Sequence, residues 1–278
     1  MGTGFIATMQ LLLLIAGILY MIAALVRFTA LKSLPRPDRV ERKGNILRDF
    51  LGENVRGLKL LFRVFPVFVA VISLDAFSDA FYRFGSLYYV NETLAFTMAE
   101  INLMILVTLI FSVPLTLYLG RVFDKRGGRG LTIIVYAVMP IAVGLLILAQ
   151  QIPYIAPASW LAWLDGVYPG LSIMFSLAFI ATALKSINDT LWFSILGTYI
   201  LKSLPRQDLG KILSLTMVVV LLFVSIGPIP AGIIYDLWQG LPLLYTVVIL
   251  NVIILIVLIT KNIEPRVGVD ELEQEDQV

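Results

Sequence analysis

LDAFSDAFY, residues 74–82, sits in the middle of a long apolar run, and LKSINDTLW, residues 184–192, sits in another. At an offset of 110 the two align, with Leu74 on Leu184, Asp75 on Lys185, Ser78 on Asn188, Asp79 on Asp189 and Tyr82 on Trp192. Both runs exceed the roughly 18 residues that mark a membrane-crossing helix. Ionisable side chains are costly in lipid, so at such depth they are expected to face a bundle interior or a watery cavity. That placement points to an all-α polytopic membrane protein with its polar residues on the inside.

The rest of the chain agrees. Its 278 residues are 59% hydrophobic and 14% charged, with a mean hydropathy of +0.92, where a soluble domain carries about 25% charged residues. The ten-residue alternating segments of a β-barrel are absent from the sequence. Cysteine and histidine are absent too, which excludes disulfides, thiolate chemistry, histidine-containing zinc sites and a histidine general base. No cofactor or metal is expected. A net charge of +2 is too weak and too localised for a nucleic-acid partner. The expected partner is the lipid bilayer and the expected location the cell membrane, crossed several times.

Seven transmembrane helices are predicted, over residues 4–30, 60–89, 96–119, 131–149, 171–204, 209–234 and 241–260. Residues 1–31 form an unpaired helix, retained and not cleaved as a signal, since the run lacks a basic leader and a clear cleavage site. Residues 32–59 form a cytosolic linker. Its later part carries Leu47, Leu51, Val55, Leu58 and Phe62 at the spacing of an amphipathic helix lying at the membrane surface. Residues 60–262 form a six-helix bundle, and 263–278 an acidic, disordered cytosolic tail. The loop 151–170 holds Trp160, Trp163 and Tyr168, suited to the headgroup layer. Pro228 and Pro230 should bend the sixth span.

Charge sets the orientation. The connections after the first, third, fifth and seventh spans hold 8, 4, 3 and 2 Lys/Arg, counting Lys202 and Lys211 at the ends of the spans that flank Arg206, and the other three hold none. The positive-inside rule then places the N-terminus outside and the C-terminus in the cytosol. A second internal match, Gly120 to Asp124 against Gly232 to Asp236, lies at an offset of 112. With the first, it relates spans two to four to spans five to seven as a 3+3 inverted repeat.

The connection after the third span reads GRVFDKRGGR, residues 120–129. Taken alone, Gly120 should let helices approach closely, Gly127 and Gly128 allow a tight turn, and the basic residues meet anionic headgroups. The segment resembles the G-x-x-x-D-R/K-x-G-R/K-R signature of the major facilitator superfamily of transporters at Gly120, Asp124, Lys125, Gly127 and Arg129, with Gly128 where that pattern prefers a basic residue. The resemblance extends to Gly227, Pro228, Ala231 and Gly232 and to the basic turn 205–211. It implies that this chain corresponds to the sixth helix, central linker and C-terminal six-helix half of a twelve-helix carrier. It also implies a latch-like gating role for the loop, and a partner supplying the helices the chain lacks.

Asp75, Asp79 and Arg83 are four apart and share one helix face. Carboxylates this close should not both ionise easily, and Arg83 can partly neutralise Asp79. Lys185 and Asp189 repeat the spacing. Tyr82, Asn188 and Trp192 can add hydrogen bonds and stacking. The resemblance sets Asp75 and Asp79 opposite Lys185 and Asp189 across a cavity, where an ion pair either breaks and reforms with substrate or proton, or only holds helices together. The expected function is secondary active transport of a small solute by alternating access, by this chain or by a carrier of which it is the C-terminal portion. A proton is one coupling ion these groups can carry. The alternative is a non-transporting membrane subunit or truncated half-transporter that needs a partner. The chain is not expected to be an enzyme, and a retinal-type protein is excluded because span seven has no lysine.

Overall fold

The computed structural model describes residues 46–126, 129–203 and 209–261, together with Ile18, Met21, Ile22, Leu25 and Ile263. The chain divides between residues 50 and 51 into two units. The described residues before 46 are helical and exposed. Most of the predicted first span, the first half of the linker (32–45) and, apart from Ile263, the acidic tail lie outside the described residues, as do Gly127 and the side chains of Asp124 and Lys125.

The described residues are mostly helical and contain no strand; one isolated bridge joins Tyr154 to Ser176. Helices are the expected answer for uninterrupted apolar runs, because they satisfy every backbone group within the segment. The first, α1, is Ile46–Val64, and α2 is Pro66–Tyr88. The predicted second span starts too early, at residue 60. Leu60–Val64 belongs to α1, and the chain turns by 100° before α2. Pro66 takes the first position of α2, where its missing N–H leaves no hydrogen bond unmade. Two residues of the apolar stripe expected to lie at the membrane surface face outward on α1. Val55 and Phe62 are exposed, while Leu61, Val64 and Phe65 are buried against Phe68, Ile72, Ile200, Ile212 and Leu215.

A one-turn π-helix, Tyr89–Thr93, closes α2 with a bond from Leu94 N–H to the Tyr89 carbonyl. Thr97 and Glu100 then open α3, Met98–Arg126, as a reciprocal cap. The Glu100 carboxylate accepts from the Thr97 N–H at 2.8 Å and hydroxyl at 2.7 Å. Next, α4 spans Arg129–Leu148. The loop expected over 151–170 contains a further short helix, α5, Ala158–Val167. None of its residues is buried, and Trp160 and Trp163 are among its most exposed. A 3-10 turn, Leu171–Phe175, precedes α6, Leu177–Ser203, so the fifth predicted span begins six residues late.

α7, Leu209–Ile226, and α8, Pro228–Trp238, meet at Gly227. Backbone bonds run through this junction, from Gly227 N–H to the Phe223 carbonyl and from Ala231 N–H to the Gly227 carbonyl. The prolines therefore punctuate the sixth run and do not break it. Gly227 lies so close to Ala80 of α2 that a side chain there would collide, and one at Gly85 would meet Leu243 at 2.6 Å. These are the tight helix approaches. Gly120, expected to provide one, has open space around it. The last helix, α9, is Gly240–Thr260.

In the packing, α2 lies against α9, α7 and α8, while α6 lies against α4 and α3, and α4 also meets α9. Four described helices are long and apolar enough to cross a membrane: Met98–Arg121, Arg129–Leu148, Ile212–Trp238 and Gly240–Thr260. The elbowed pair Gly57–Val64 and Pro66–Thr93 makes a fifth if it counts as one span. The outer face of α3 is apolar throughout, with Ile105, Leu109, Ile110, Phe111, Val113 and Leu117 all exposed. An apolar exterior around a polar interior is what a polytopic membrane protein requires.

Candidate functional site

The polar residues of α2 and α6 converge. Lys185, only 3% exposed, reaches the Asp79 carboxylate at 2.6 Å and the Asp189 carboxylate, one turn along its own helix, at 2.5 Å. Its ammonium also stands 5.0 Å over the ring of Tyr82, on the negative face where a cation is favoured. Burying an ammonium costs several kcal/mol unless strong partners surround it. Two carboxylates and an aromatic face supply them here. Asp79 and Asp189 are 23% and 34% exposed, so the clamp is closed over the lysine and open on its acidic side.

Asp75, one turn before Asp79, faces different chemistry. One of its oxygens accepts from the Tyr136 hydroxyl of α4 at 2.9 Å, and the other from the Trp192 indole N–H of α6 at 2.8 Å. The Tyr136 and Trp192 rings meet edge to face at 4.7 Å. The Tyr136 hydroxyl also lies 3.1 Å from the amide oxygen of Asn251 on α9, which accepts from Ser78 at 3.0 Å. A single hydrogen-bonded string thus ties α2, α4, α6 and α9. Outside it, the amide nitrogens of Asn188 and Asn251 are buried with no hydrogen-bond partner among the described residues.

The two nine-residue copies meet in an exchanged way. Position two of the first, Asp75, touches position nine of the second, Trp192; position two of the second, Lys185, stands over position nine of the first, Tyr82. The two helices also share apolar clusters, Val71 of α2 with Leu191 and Trp192 of α6, and Phe68 and Ile72 of α2 with Ile200 of α6.

Of the residues singled out in the sequence, Asp75, Asp79, Tyr82, Lys185, Asp189 and Trp192 come together. Arg83 does not join them; it is exposed and forms no ion pair with Asp79, whose cationic partner is Lys185. Asn188 is buried on the same helix without contributing a hydrogen bond to the string. Arg129, expected to meet headgroups, donates instead to the Leu258 and Ile259 carbonyls at 3.4 and 2.5 Å. There it satisfies the exposed carbonyls at the end of α9 and complements that helix's negative terminus. Tyr136, Ser78 and Asn251 were not anticipated. The signal for Asn251 was present: it is the one amide within the apolar run 240–260.

No group of three or more carboxylates among the described residues is arranged to hold a metal ion. What the arrangement can do is exchange ion pairs and protons between helices. No protein-family model, curated protein or solved structure matches this chain.

Proposed function

We propose that this chain is a secondary active transporter, or the C-terminal portion of one, moving a small solute across a membrane by alternating access. The observation that carries the reading is the Asp79–Lys185–Asp189 clamp. A buried lysine joins two helices of an apolar bundle, and its carboxylates open to one side. Polar groups held inside a membrane bundle at such cost mark substrate and ion pathways. A cationic solute that competes with Lys185 for Asp79 or Asp189 weakens the tie between α2 and α6, giving the bundle two arrangements to alternate between.

Three further features support it. The seven-span topology has its N-terminus outside, with helices α2–α4 and α6–α9 as inverted repeats. Exchanging those units maps the α2–α9 packing onto α6–α4, the α2–α7 packing onto α6–α3, and the Asp75–Trp192 crossing onto Lys185–Tyr82. The exposed side of α6 sets Thr190 and Ser194 beside Phe193, and Thr190, Ser194 and Thr198 bond back to carbonyls four residues earlier. The loop at Gly120, Asp124, Lys125, Gly127 and Arg129 supplies the cytosolic latch of the major facilitator superfamily plan.

The test is reconstitution. Proteoliposomes enclosing a pH-sensitive dye are challenged with a panel of small solutes. Solute-driven proton flux is expected from the native chain and not from Asp79→Asn or Asp189→Asn. Flux that is undiminished and equally pH-dependent in both variants removes the coupling role. Topology is testable separately, because the chain has no cysteine. Ser159→Cys should react with a membrane-impermeant maleimide from outside, and Gln207→Cys only after permeabilisation.

A further inference from the structure

We propose that Asp75 is a proton-binding site and that Tyr136 and Asn251 form the relay that reads its protonation, while Asp79 and Asp189 stay committed to Lys185. This deepens the transport reading, on which its use in the cell rests.

The first ground is the distribution of charge. The cluster contains three carboxylates and one lysine, and that lysine is taken by two of the three. Asp75 is left with two neutral donors, Tyr136 and Trp192. The charged and titratable groups around it are Asp79 from its own helix, Lys185 and Asp189 from α6 and Tyr136 from α4. α9 faces it with the neutral Asn251. Among the other helices packed on α2, α7 carries only Lys211 in its first turn, and α8 only Tyr235 and Asp236 near its end. A proton added to Asp79 or Asp189 dissolves an ion pair. A proton added to Asp75 dissolves none and removes one uncompensated charge from the bundle.

The second ground is a count of hydrogens. The Tyr136 oxygen lies 2.9 Å from an Asp75 oxygen and 3.1 Å from the Asn251 oxygen, yet a phenol has one hydrogen to give. With Asp75 ionised and the Asn251 amide oriented as it stands, the Tyr136–Asn251 contact sets lone pair against lone pair. A proton on Asp75 resolves it: the carboxyl O–H donates to the Tyr136 oxygen, and the Tyr136 O–H donates to Asn251, which still accepts from Ser78. When the proton leaves to water, Tyr136 turns its O–H to the carboxylate. The Asn251 amide then rotates by half a turn, so that its NH2 donates to both Tyr136 and Ser78. Each state is a consistent chain of donors and acceptors, and the difference is one proton and one amide orientation. The amide end that points away is buried and partnerless in both, which leaves the amide free to choose by the state of Asp75.

The experiment is infrared difference spectroscopy of the purified protein in lipid nanodiscs between acid and alkaline pH, in H2O and D2O. A protonated-carboxyl C=O band that disappears on raising pH is expected in the native chain, in Asp79→Asn and in Asp189→Asn, and is expected to be missing in Asp75→Asn. Tyr136→Phe should keep the band and shift its frequency, because the carboxyl loses its acceptor. Should Asp75→Asn fail to fold, that Tyr136→Phe shift and a pH-dependent Trp192 emission, taken as the difference between native protein and Trp192→Phe, make the same decision. The assignment is overturned if the band survives in Asp75→Asn, or if no carboxyl band titrates, or if Tyr136→Phe leaves its frequency unmoved. None of these measurements needs transport. Solute flux with no Asp75 band refutes the proton site alone, and an Asp75 band without flux refutes the transport reading alone.

Discussion

Asp75 and Asp79 lie one turn apart on the same helix, yet their surroundings differ in kind. Asp79 shares a lysine with Asp189 and is 23% exposed. Asp75 is held by a phenol and an indole, with no cation of its own. The clamp is a strong tie between two helices, one lysine set between two carboxylates; the Asp75 pocket is a weaker one, built from neutral donors, that joins four. Two carboxylates can therefore do separate work in one site, one holding a conformation and the other changing charge, because their partners differ and not because their residue type does.

The sharpest way to break that comparison is to remove the shared cation. Lys185→Met leaves two carboxylates without their partner, and unfolding followed by circular dichroism in detergent should show a loss of about 3–5 kcal/mol. Adding Asp79→Asn to it should recover part of that loss, since one stranded charge goes with it. Asp75→Asn reproduces the protonated pattern, its NH2 donating to Tyr136 and its oxygen accepting from Trp192, so the cost should fall to about 0.5–1.5 kcal/mol. Tyr136→Phe removes the relay's middle link at about 1.5 kcal/mol, the upper range for interhelical bonds in membranes, and Ser78→Ala should cost only about 0.6 kcal/mol. Smallest in stability is Ser194→Leu on the exposed side of α6, within about 0.5 kcal/mol. Its expected effect is on uptake, by filling space that the transport reading gives to solute. If Asp75→Asn proves as costly as Lys185→Met, the two pockets are one charge network and their distinction falls.

The same contrast appears on the outside of the molecule. The exposed side of α3 from Ile105 to Leu117 is wholly apolar, whereas that of α6 sets Thr190 and Ser194 beside Phe193. Both helices are long and pack on each other, yet one presents an apolar face and the other a mixed one.

Much of this was legible in the residues. Charges inside apolar runs are expensive, so Asp75, Asp79, Lys185 and Asp189 announced themselves; the nine-residue match paired them in sequence, and only the resemblance to a carrier set them face to face. The Thr97–Glu100 cap could likewise be read from its three-residue spacing, because capping is local. Hydropathy was a poorer guide to boundaries. It merged the end of α1 with α2 across Pro66, and it hid α5 in a loop, because composition does not register where a chain turns by 100° or lies along a surface.

By itself the sequence determined the helical class, the apolar exterior and the identity of the buried charges, since each follows from the cost of placing a group in a given solvent. Only the tertiary structure decided the pairing: that Lys185 and not Arg83 takes Asp79, that Trp192 and Tyr136 hold Asp75, and that Asn251 joins them from a helix far along the chain. Those choices depend on how each helix is rotated about its axis. That rotation is set by close approaches such as Gly227 on Ala80 and Gly85 on Leu243, which no periodicity within a single run encodes.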